Sequence, residues 1–289
     1  MQDILGQRQQ GIEKAVPQVP WQLRDLGLAG AWVLVVALFT MIVLGIVFIG
    51  PGTTTSRPPA QEALSQELPR VFSVEPVGPL PPPPLPEEER EARGWTNPLV
   101  LGASLALEVA LLGAAAWFSV RRYSCGWRAL GFRPAVRGEW WLPLAVAAVV
   151  VVAAGMVLVV YSVIVELVGI GELVPESTLP EDFFDSPVTL PLVGALAILA
   201  APIAEETFFR GFLFPAFRVR WGTFWAALVS GLLFAAVHFN LGSIVPITII
   251  GMLLAWAYVY SGSLWAAVCA HLVYNSVVFS VAVAAGGGS

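Results

Sequence analysis

A small set of ionisable residues stands inside otherwise apolar stretches near the C-terminus. Two adjacent glutamates, Glu205 and Glu206, precede Arg210, and the only histidines of the chain follow at His238 and His271. An ionised side chain in hydrocarbon costs at least a few kcal/mol, so each of these groups needs a partner or a hydrated cavity. Their grouping in one part of the chain predicts a single buried polar site of the kind that activates water.

Helical spacing separates the roles of the two glutamates. Residues four apart lie on one face of a helix, so Glu206 and Arg210 are placed to pair, whereas Glu205 points about 100° away. We expect the Glu206–Arg210 pair to support the structure by clamping helices together rather than to catalyse. Glu205 is then left free to accept a proton or hold a water, as a general base does.

The histidines extend the set on two further helices. His238 ends the apolar run that begins at Phe234, and His271 shares a helical face with Asn275, four residues later. A lone histidine in a soluble core is usually hydrogen-bonded packing, but two within membrane segments indicate function. Together with Glu205 these residues could bind Zn²⁺ with an open water position. They could equally activate water without a metal while Asn275 stabilises an oxyanion.

The composition places this chemistry in a membrane. Of the 289 residues 57% are hydrophobic and 12% charged, about half the charged fraction of a typical soluble domain. No basic patch with interleaved aromatic residues occurs, so we expect no nucleic-acid partner. The two cysteines, Cys125 and Cys269, suggest neither a disulfide scaffold nor a thiolate metal site.

Apolar runs long enough to cross a bilayer predict an all-α, polytopic integral membrane helical bundle with about seven transmembrane helices. For Glu205 and His238 to lie at the same depth, the fourth helix must be long or broken and extend over 189–217, beside a water-filled cavity. The seven runs cover 29–49, 99–120, 141–165, 188–204, 224–239, 244–260 and 264–284.

Four regions follow along the chain. An N-terminal region with an anchor helix (1–50) precedes a Pro-rich acidic linker (51–97), a membrane core (98–284, with its motifs in 200–280) and a flexible tail (285–289). Residues 51–98 hold twelve of the 23 prolines, which predicts an extended or disordered segment. That segment is either a spacer or a docking site for a partner.

Loop charges give the orientation. The loop 121–137 holds five arginines and no acid, whereas 166–185 holds six acids and no base. Because basic loops stay in the cytoplasm, the N-terminus is predicted to be cytoplasmic and the C-terminus external. The arginine-rich, lysine-poor composition favours a bacterial plasma membrane. The acidic loop is interpreted as a solvated connector, with a cap over the cavity as the alternative.

The motifs resemble the three-part signature of the CPBP intramembrane metalloprotease family, also called Abi, which includes the type II CAAX prenyl endopeptidases. The resemblance spans roughly 125–284 and has supporting matches at 130–133, 211–215 and 262–265. Neither the anchor helix nor the linker takes part in it. The motifs are Glu205-Glu206-x-x-x-Arg210-Gly211, Phe234-x-x-x-His238 and His271-x-x-x-Asn275.

The resemblance implies an endopeptidase that cleaves a membrane protein or peptide in or beside the lipid bilayer. It implies that Glu205 activates the attacking water, that Asn275 stabilises the oxyanion, and that His238 and His271 hold either that water or, with Glu205, a zinc ion. It does not imply a prenylated substrate, and it leaves the need for a metal open.

Two other classes of function remain as alternatives. A non-proteolytic immunity or scaffolding protein would use the same polar core, or the Pro-rich linker, to bind a partner. A proton-coupled transporter would use Glu205 and the histidines as a relay, but the two halves of the sequence show no inverted repeat of the kind many such folds contain.

Overall fold

The computed structural model of the chain describes residues 19–48, 87–135, 141–170, 173, 188–238 and 240–286. For 43–48, 87–97 and 285–286 it describes the backbone alone. The sequence predictions for the first 18 residues, for most of the Pro-rich linker, for most of the acidic loop and for the last three residues lie outside these ranges.

The described residues form an all-helical bundle, as predicted, with six helices long and apolar enough to cross a membrane. Two short 3₁₀ turns, Trp127–Leu130 and Leu241–Ser243, connect neighbouring helices. The helices are α1 (Leu23–Phe48), α2 (Glu87–Ala115), α3 (Leu142–Val168), α4 (Thr189–Ala195), α5 (Ala201–Glu206), α6 (Phe214–Ala236), α7 (Ile244–Ser261) and α8 (Leu264–Gly286).

The helices α4, α5 and α6 form one continuous helical run of 48 residues, Thr189–Ala236, that doubles back on itself. The ring centroids of Phe209 and Phe234 lie 5.3 Å apart, although 25 residues of straight helix would separate them by about 37 Å. The chain reverses inside α6 at Gly222, whose φ of 74° and ψ of 173° suit glycine and few other residues.

This reversal explains why six helices are found where about seven were predicted. The fourth and fifth apolar runs are the two antiparallel legs of the Thr189–Ala236 segment. It also confirms the long helix expected over 189–217. Since Phe209 and Phe234 meet, Glu205 and His238 each lie four residues, or about 6 Å, beyond that contact, at one level of the bundle.

Two π-helical turns flank the glutamates. One covers Leu196–Ala200 and the other Thr207–Leu213, with α5 between them. A π turn inserts an extra residue and redirects the side chains that follow, and such turns recur at functional sites. Glu205 and Glu206 therefore stand at the end of a six-residue α-helical segment between two widened turns.

The start of α2 corrects one prediction. The linker was expected to be extended over 51–97, but the chain is helical from Glu87 onward, and Pro98 lies within that helix. Acidic residues are favourable in the first turn of a helix because they face the positive end of its dipole. This helix begins with Glu87-Glu88-Glu89, three acidic residues within the range predicted to be the linker.

The N-terminal helix docks onto the core instead of standing apart from it. Helix α1 packs along α2, and the indole of Trp21 donates a hydrogen bond to the carbonyl of Phe212 at 2.9 Å. Four residues after Trp21, the buried Asp25 accepts a hydrogen bond from Tyr123 and pairs with Arg122 at 3.2 Å. Residues that lie outside the family resemblance thus touch the segment that carries the site.

Candidate active site

The predicted pair of Glu206 and Arg210 is present at the centre of the bundle. Both side chains are fully buried, and Nη1 of Arg210 donates to Oε1 of Glu206 at 2.8 Å. Nη2 of Arg210 donates to the carbonyl of Gly251 on α7 at 3.0 Å, and its guanidinium lies 4.3 Å from the ring centroid of Phe234. The pair joins three segments of the bundle, which agrees with the clamp expected from the sequence.

Two glycines make room for this arginine. A Cβ on Gly251 would lie 2.8 Å from Cα of Gly231 and 3.0 Å from Nη2 of Arg210. Helices α6 and α7 therefore approach through bare backbone, which brings the Gly251 carbonyl within reach of the guanidinium. A β-carbon in either position would push the helices apart and loosen the arginine.

His271 connects the clamp to the free glutamate. Its Nδ1 lies 3.0 Å from Oε1 of Glu206 and its Nε2 lies 3.6 Å from Oε2 of Glu205. The second distance is too long for a direct hydrogen bond, so the two atoms can both contact one water placed beside them. Both side chains are at least nine-tenths buried.

The contacts of His271 define its tautomer. Oε1 of Glu206 accepts from Arg210 and so has no proton to donate to the ring, which means that Nδ1 of His271 carries the proton in this contact. Nε2 of the neutral ring then carries no proton, and its lone pair faces Glu205. An imidazole fixed in this way accepts a hydrogen from water at Nε2 and becomes a donor only when the ring is protonated.

His238 is oriented by the same principle but is not in direct contact with the other groups. Its Nδ1 lies 2.8 Å from the carbonyl of Phe234, which can only accept, so Nε2 again carries the lone pair. The ring is exposed just beyond the end of α6 and packs edge-on against Phe234, which also contacts the ring of His271, at 5.7 Å between centroids. Phe234 thus separates the two imidazoles.

Asn275 lies one turn beyond His271 on α8, as predicted. Its Nδ2 donates to the carbonyl of Ala197, in the π turn before α5, at 2.8 Å. An amide nitrogen has two hydrogens, so one remains for another acceptor. The contact fixes the amide in place, partly exposed, against the helix that carries Glu205.

Sequence analysis missed one further acid, Glu108. It lies on α2 and is 8% exposed, and among the described residues its Oε2 has no hydrogen-bond partner. Its carboxyl group is near enough to that of Glu205 for an electrostatic interaction. The signal was present, because Glu108 is the one ionisable residue in the apolar run 99–120 and the rule applied to Glu205 applies to it as well.

The supporting matches of the resemblance form one contact beneath the site. The carbonyl of Gly131 accepts from the amide of Leu264 at 2.8 Å, and Nε of Arg133 donates to the carbonyl of Gly262 at 2.8 Å. Gly211 packs so closely on the carbonyl of Leu130 that a Cβ there would lie 2.8 Å from it. These contacts fix the start of α8 against the leg that carries the glutamates.

The residues predicted to bind zinc are His238, His271 and Glu205. The tautomers of both histidines, each with Nε2 free, are those that zinc ligands adopt. Within the described ranges, however, no three side chains of His, Cys, Asp or Glu come together as a set that could hold a metal ion. As arranged, the described residues therefore do not fit the zinc ion that was one of the two interpretations of the sequence.

A family model matches the region that contains the site. Residues 187–277 match the model described as type II CAAX prenyl endopeptidase Rce1-like. All three motifs read from the sequence lie inside this match, which confirms the resemblance. With six helices capable of spanning a bilayer, the chain is an integral membrane protein.

Two curated proteins are similar over part of their length. The chain is 31% identical to "Putative membrane peptidase YdiL" of Bacillus subtilis (strain 168) over 110 residues, 38% of this chain and 44% of the relative. It is 35% identical to "Uncharacterized 24.3 kDa protein" of Escherichia coli over 79 residues, 26% of this chain and 36% of that protein. The chain thus spans less than half the length of each relative. No solved structure matches it significantly.

Proposed function

We propose that this chain, which resembles the type II CAAX prenyl endopeptidases over residues 187–277, is an intramembrane endopeptidase that hydrolyses a peptide bond in a membrane-associated protein or peptide. The observation that carries the proposal is the line of contacts from Arg210 through Glu206 and His271 to Glu205. These contacts place the carboxylate of Glu205 opposite the lone pair on Nε2 of His271, an arrangement that can hold and deprotonate a water.

In the first step Glu205 is the general base. A water held by Glu205 and by Nε2 of His271 gives one proton to the Glu205 carboxylate, and its oxygen attacks the carbonyl carbon of the scissile bond. His238, which lies at the same level and also presents Nε2, accepts a hydrogen bond from the substrate. The carbonyl π-bond electrons move to the oxygen, which becomes an oxyanion.

Asn275 stabilises that oxyanion. Its amide is held by Ala197 and has one hydrogen unused, so it needs no reorganisation when negative charge develops. In the second step the oxyanion re-forms the carbonyl and the carbon–nitrogen bond breaks. Glu205 returns its proton to the leaving nitrogen, so the products are a carboxylic acid and an amine, and the enzyme regains its starting state.

Glu206 and Arg210 support the reaction without touching the substrate. Glu206 holds the proton on Nδ1 of His271 and compensates the positive charge if the ring becomes protonated. Arg210 donates to Glu206 and attaches it to α7 through the carbonyl of Gly251. The same division of roles, with a buried acid orienting an imidazole, serves hydrolysis in unrelated proteases.

The membrane setting defines the substrate class. We propose a bacterial plasma membrane with the N-terminus cytoplasmic and the C-terminus external, because arginine-rich and acidic loops alternate along the chain. The substrate is a protein or peptide that enters from the lipid bilayer, with no requirement for a prenyl group. Docking of a partner on the Pro-rich segment stays a prediction for residues outside the described ranges.

The proposal is tested in cells that express wild type or Glu205→Gln at matched levels. We expect new N- and C-termini in the membrane proteome with wild type alone, and their sequences identify the substrates. Identical termini in both strains, with Glu205→Gln still rescuing a deletion phenotype, would instead support the alternative of an immunity or scaffolding protein.

A further inference from the structure

Glu108 is a buried acid that the proposed reaction does not use. It lies near the middle of the apolar span Pro98–Arg121, and within the described part of the chain its Oε2 has no hydrogen-bond partner. A buried polar oxygen without a partner lowers stability, because the oxygen has lost its water and gained nothing in exchange. Native proteins contain few such atoms, and those they retain often serve function.

The position of Glu108 relates it to the site. Helix α2 packs against α5 and against the π turn Thr207–Leu213, the segment that carries Glu205. Leu111 and Ala115, on the same face of α2, are buried in the main apolar core. The carboxyl groups of Glu108 and Glu205 are close enough for their charges to interact. The unpaired oxygen therefore belongs to the same polar cluster, on the side that α2 supplies.

A peptide substrate in a membrane has backbone N–H groups that need a new hydrogen-bond acceptor, and this oxygen can be one. When its helix unwinds to expose the scissile bond, backbone N–H and C=O groups lose their partners, and hydrocarbon offers no water to replace them. Asn275 is a donor for the carbonyl. Among the acceptors, Glu205 is occupied by the attacking water and Oε1 of Glu206 by Arg210 and His271. Within the described residues, Oε2 of Glu108 and Oε2 of Glu206 are both buried without a hydrogen-bond partner. The side chain of Glu206 is fully enclosed in the bundle, whereas Glu108 is 8% exposed, so Glu108 is the one that offers its oxygen to a substrate.

We propose that Oε2 of Glu108 accepts a hydrogen bond from a backbone N–H of the substrate beside the scissile bond, an assignment that rests on the proposed peptidase function. Glu108 is then a substrate-binding residue that α2 contributes opposite the donor on α8. A carboxyl group has an accepting oxygen whether or not it carries a proton, so this role does not depend on its charge.

The first test compares the stability of Glu108→Leu and wild type by thermal unfolding in detergent, with the exposed Glu166→Leu as the matched control. Leucine fits an apolar bundle and removes the unpaired oxygen, so the melting temperature of Glu108→Leu should equal or exceed that of wild type. A lower melting temperature for Glu108→Leu, with Glu166→Leu unchanged, would make Glu108 a structural residue and overturn the proposal. This readout needs no substrate.

The second test measures hydrolysis of a peptide that wild type cleaves. Glu108→Leu should lose about tenfold or more in kcat/KM, mostly through KM, as expected for one lost hydrogen bond to a buried acceptor. Glu108→Gln keeps an accepting oxygen and should retain most of the activity. Full activity in Glu108→Leu, or an equal loss in both variants, would overturn the assignment.

The third test locates the N–H group. Each backbone amide flanking the scissile bond is replaced in turn by an ester, which removes one N–H. At one position the ester should slow wild type about tenfold and leave Glu108→Leu no slower than it already is, the coupling expected of two groups in contact. Equal ester effects in both proteins at every position would contradict the proposal. If wild type hydrolysed no peptide at all, the peptidase function would fail, whereas the melting temperatures would still report on Glu108.

Discussion

Nδ1 of His271 lies 3.0 Å from Oε1 of Glu206, an oxygen that Arg210 also binds at 2.8 Å. The two residues are 65 positions apart in the chain, and their contact joins the helix with the third motif to the helix with the first. One carboxylate oxygen thereby pairs the buried guanidinium and orients the imidazole that faces Glu205.

Removing the charge of Glu206 should therefore destabilise the protein. Glu206→Gln leaves the guanidinium of Arg210 buried without a counter-charge, a change that usually costs about 3–5 kcal/mol. We expect a markedly lower unfolding midpoint in detergent, together with loss of hydrolysis. The exposed Glu166→Gln is the matched control and should behave as wild type. A Glu206→Gln variant as stable as wild type would show that the pair is not a clamp.

The two histidines should differ in what they contribute to stability. His238 is exposed and its contacts are local, with Phe234 in the preceding turn, so His238→Ala should unfold close to the wild-type temperature. Its hydrolysis rate should nevertheless fall about tenfold or more, as expected for one lost hydrogen bond in the site. Circular-dichroism melts and rate assays on one preparation check both. An active His238→Ala would remove His238 from the site.

Asn275 should affect the chemical step more than binding. Asn275→Ala removes the proposed oxyanion donor, and the loss of such a donor lowers kcat about 10²–10³-fold with a smaller change in KM. The neighbouring Ser276→Ala removes only a hydroxyl bonded to the carbonyl of Leu272 in its own helix and serves as the control. If both variants lost activity equally, helix α8 would be disturbed rather than the oxyanion site.

Gly251 should tolerate no side chain. In Gly251→Ala the new Cβ would meet Cα of Gly231 at 2.8 Å and Nη2 of Arg210 at 3.0 Å, and such overpacking typically costs about 1–3 kcal/mol. Gly155→Ala on α3 is the matched control, because nothing lies within 4 Å of its Cβ. Its helix should gain a little stability, about 0.4–1 kcal/mol. Equal melting temperatures for the two variants would contradict the close packing of α6 and α7.

Metal removal distinguishes hydrolysis that uses a zinc ion from hydrolysis that uses Glu205 and the histidines alone. Because the described side chains hold no set of three metal ligands, purified protein dialysed against a strong zinc chelator should keep its activity and its melting temperature. Activity lost on dialysis and restored by Zn²⁺ alone would show that the histidines and Glu205 rearrange around a metal, as the first interpretation of the sequence allowed.

Much of this arrangement could be predicted from sequence because membrane proteins seldom carry buried charge without purpose. The i, i+4 spacing gave the Glu206–Arg210 pair, and the apolar runs gave the helices. The contact of His271 with both glutamates could not be read in this way, since it depends on how α8 meets α5 across 65 residues of chain. The sequence placed a reversal between the fourth and fifth apolar runs but not its form, because the basic residues there resemble an ordinary loop and the helix instead continues to Gly222.

Other misses have identifiable causes. The helix that begins at Glu87 was obscured by the prolines before it, although its acidic first turn is a helix signal. Glu108 was overlooked because it stands alone, far in sequence from the motifs, and only the packing of α2 on α5 brings it to the site. Distant single residues lack the spacing that makes a motif recognisable.

The central claim is that Glu205 activates water for peptide hydrolysis, and the direct measurement uses purified protein reconstituted in lipid. Wild type and Glu205→Gln are incubated with a membrane-protein extract in heavy-oxygen water, and the peptides are analysed by mass spectrometry. The account predicts new C-termini carrying one heavy oxygen with wild type and none above background with Glu205→Gln. The same labelled termini at the same rate from both proteins would contradict it.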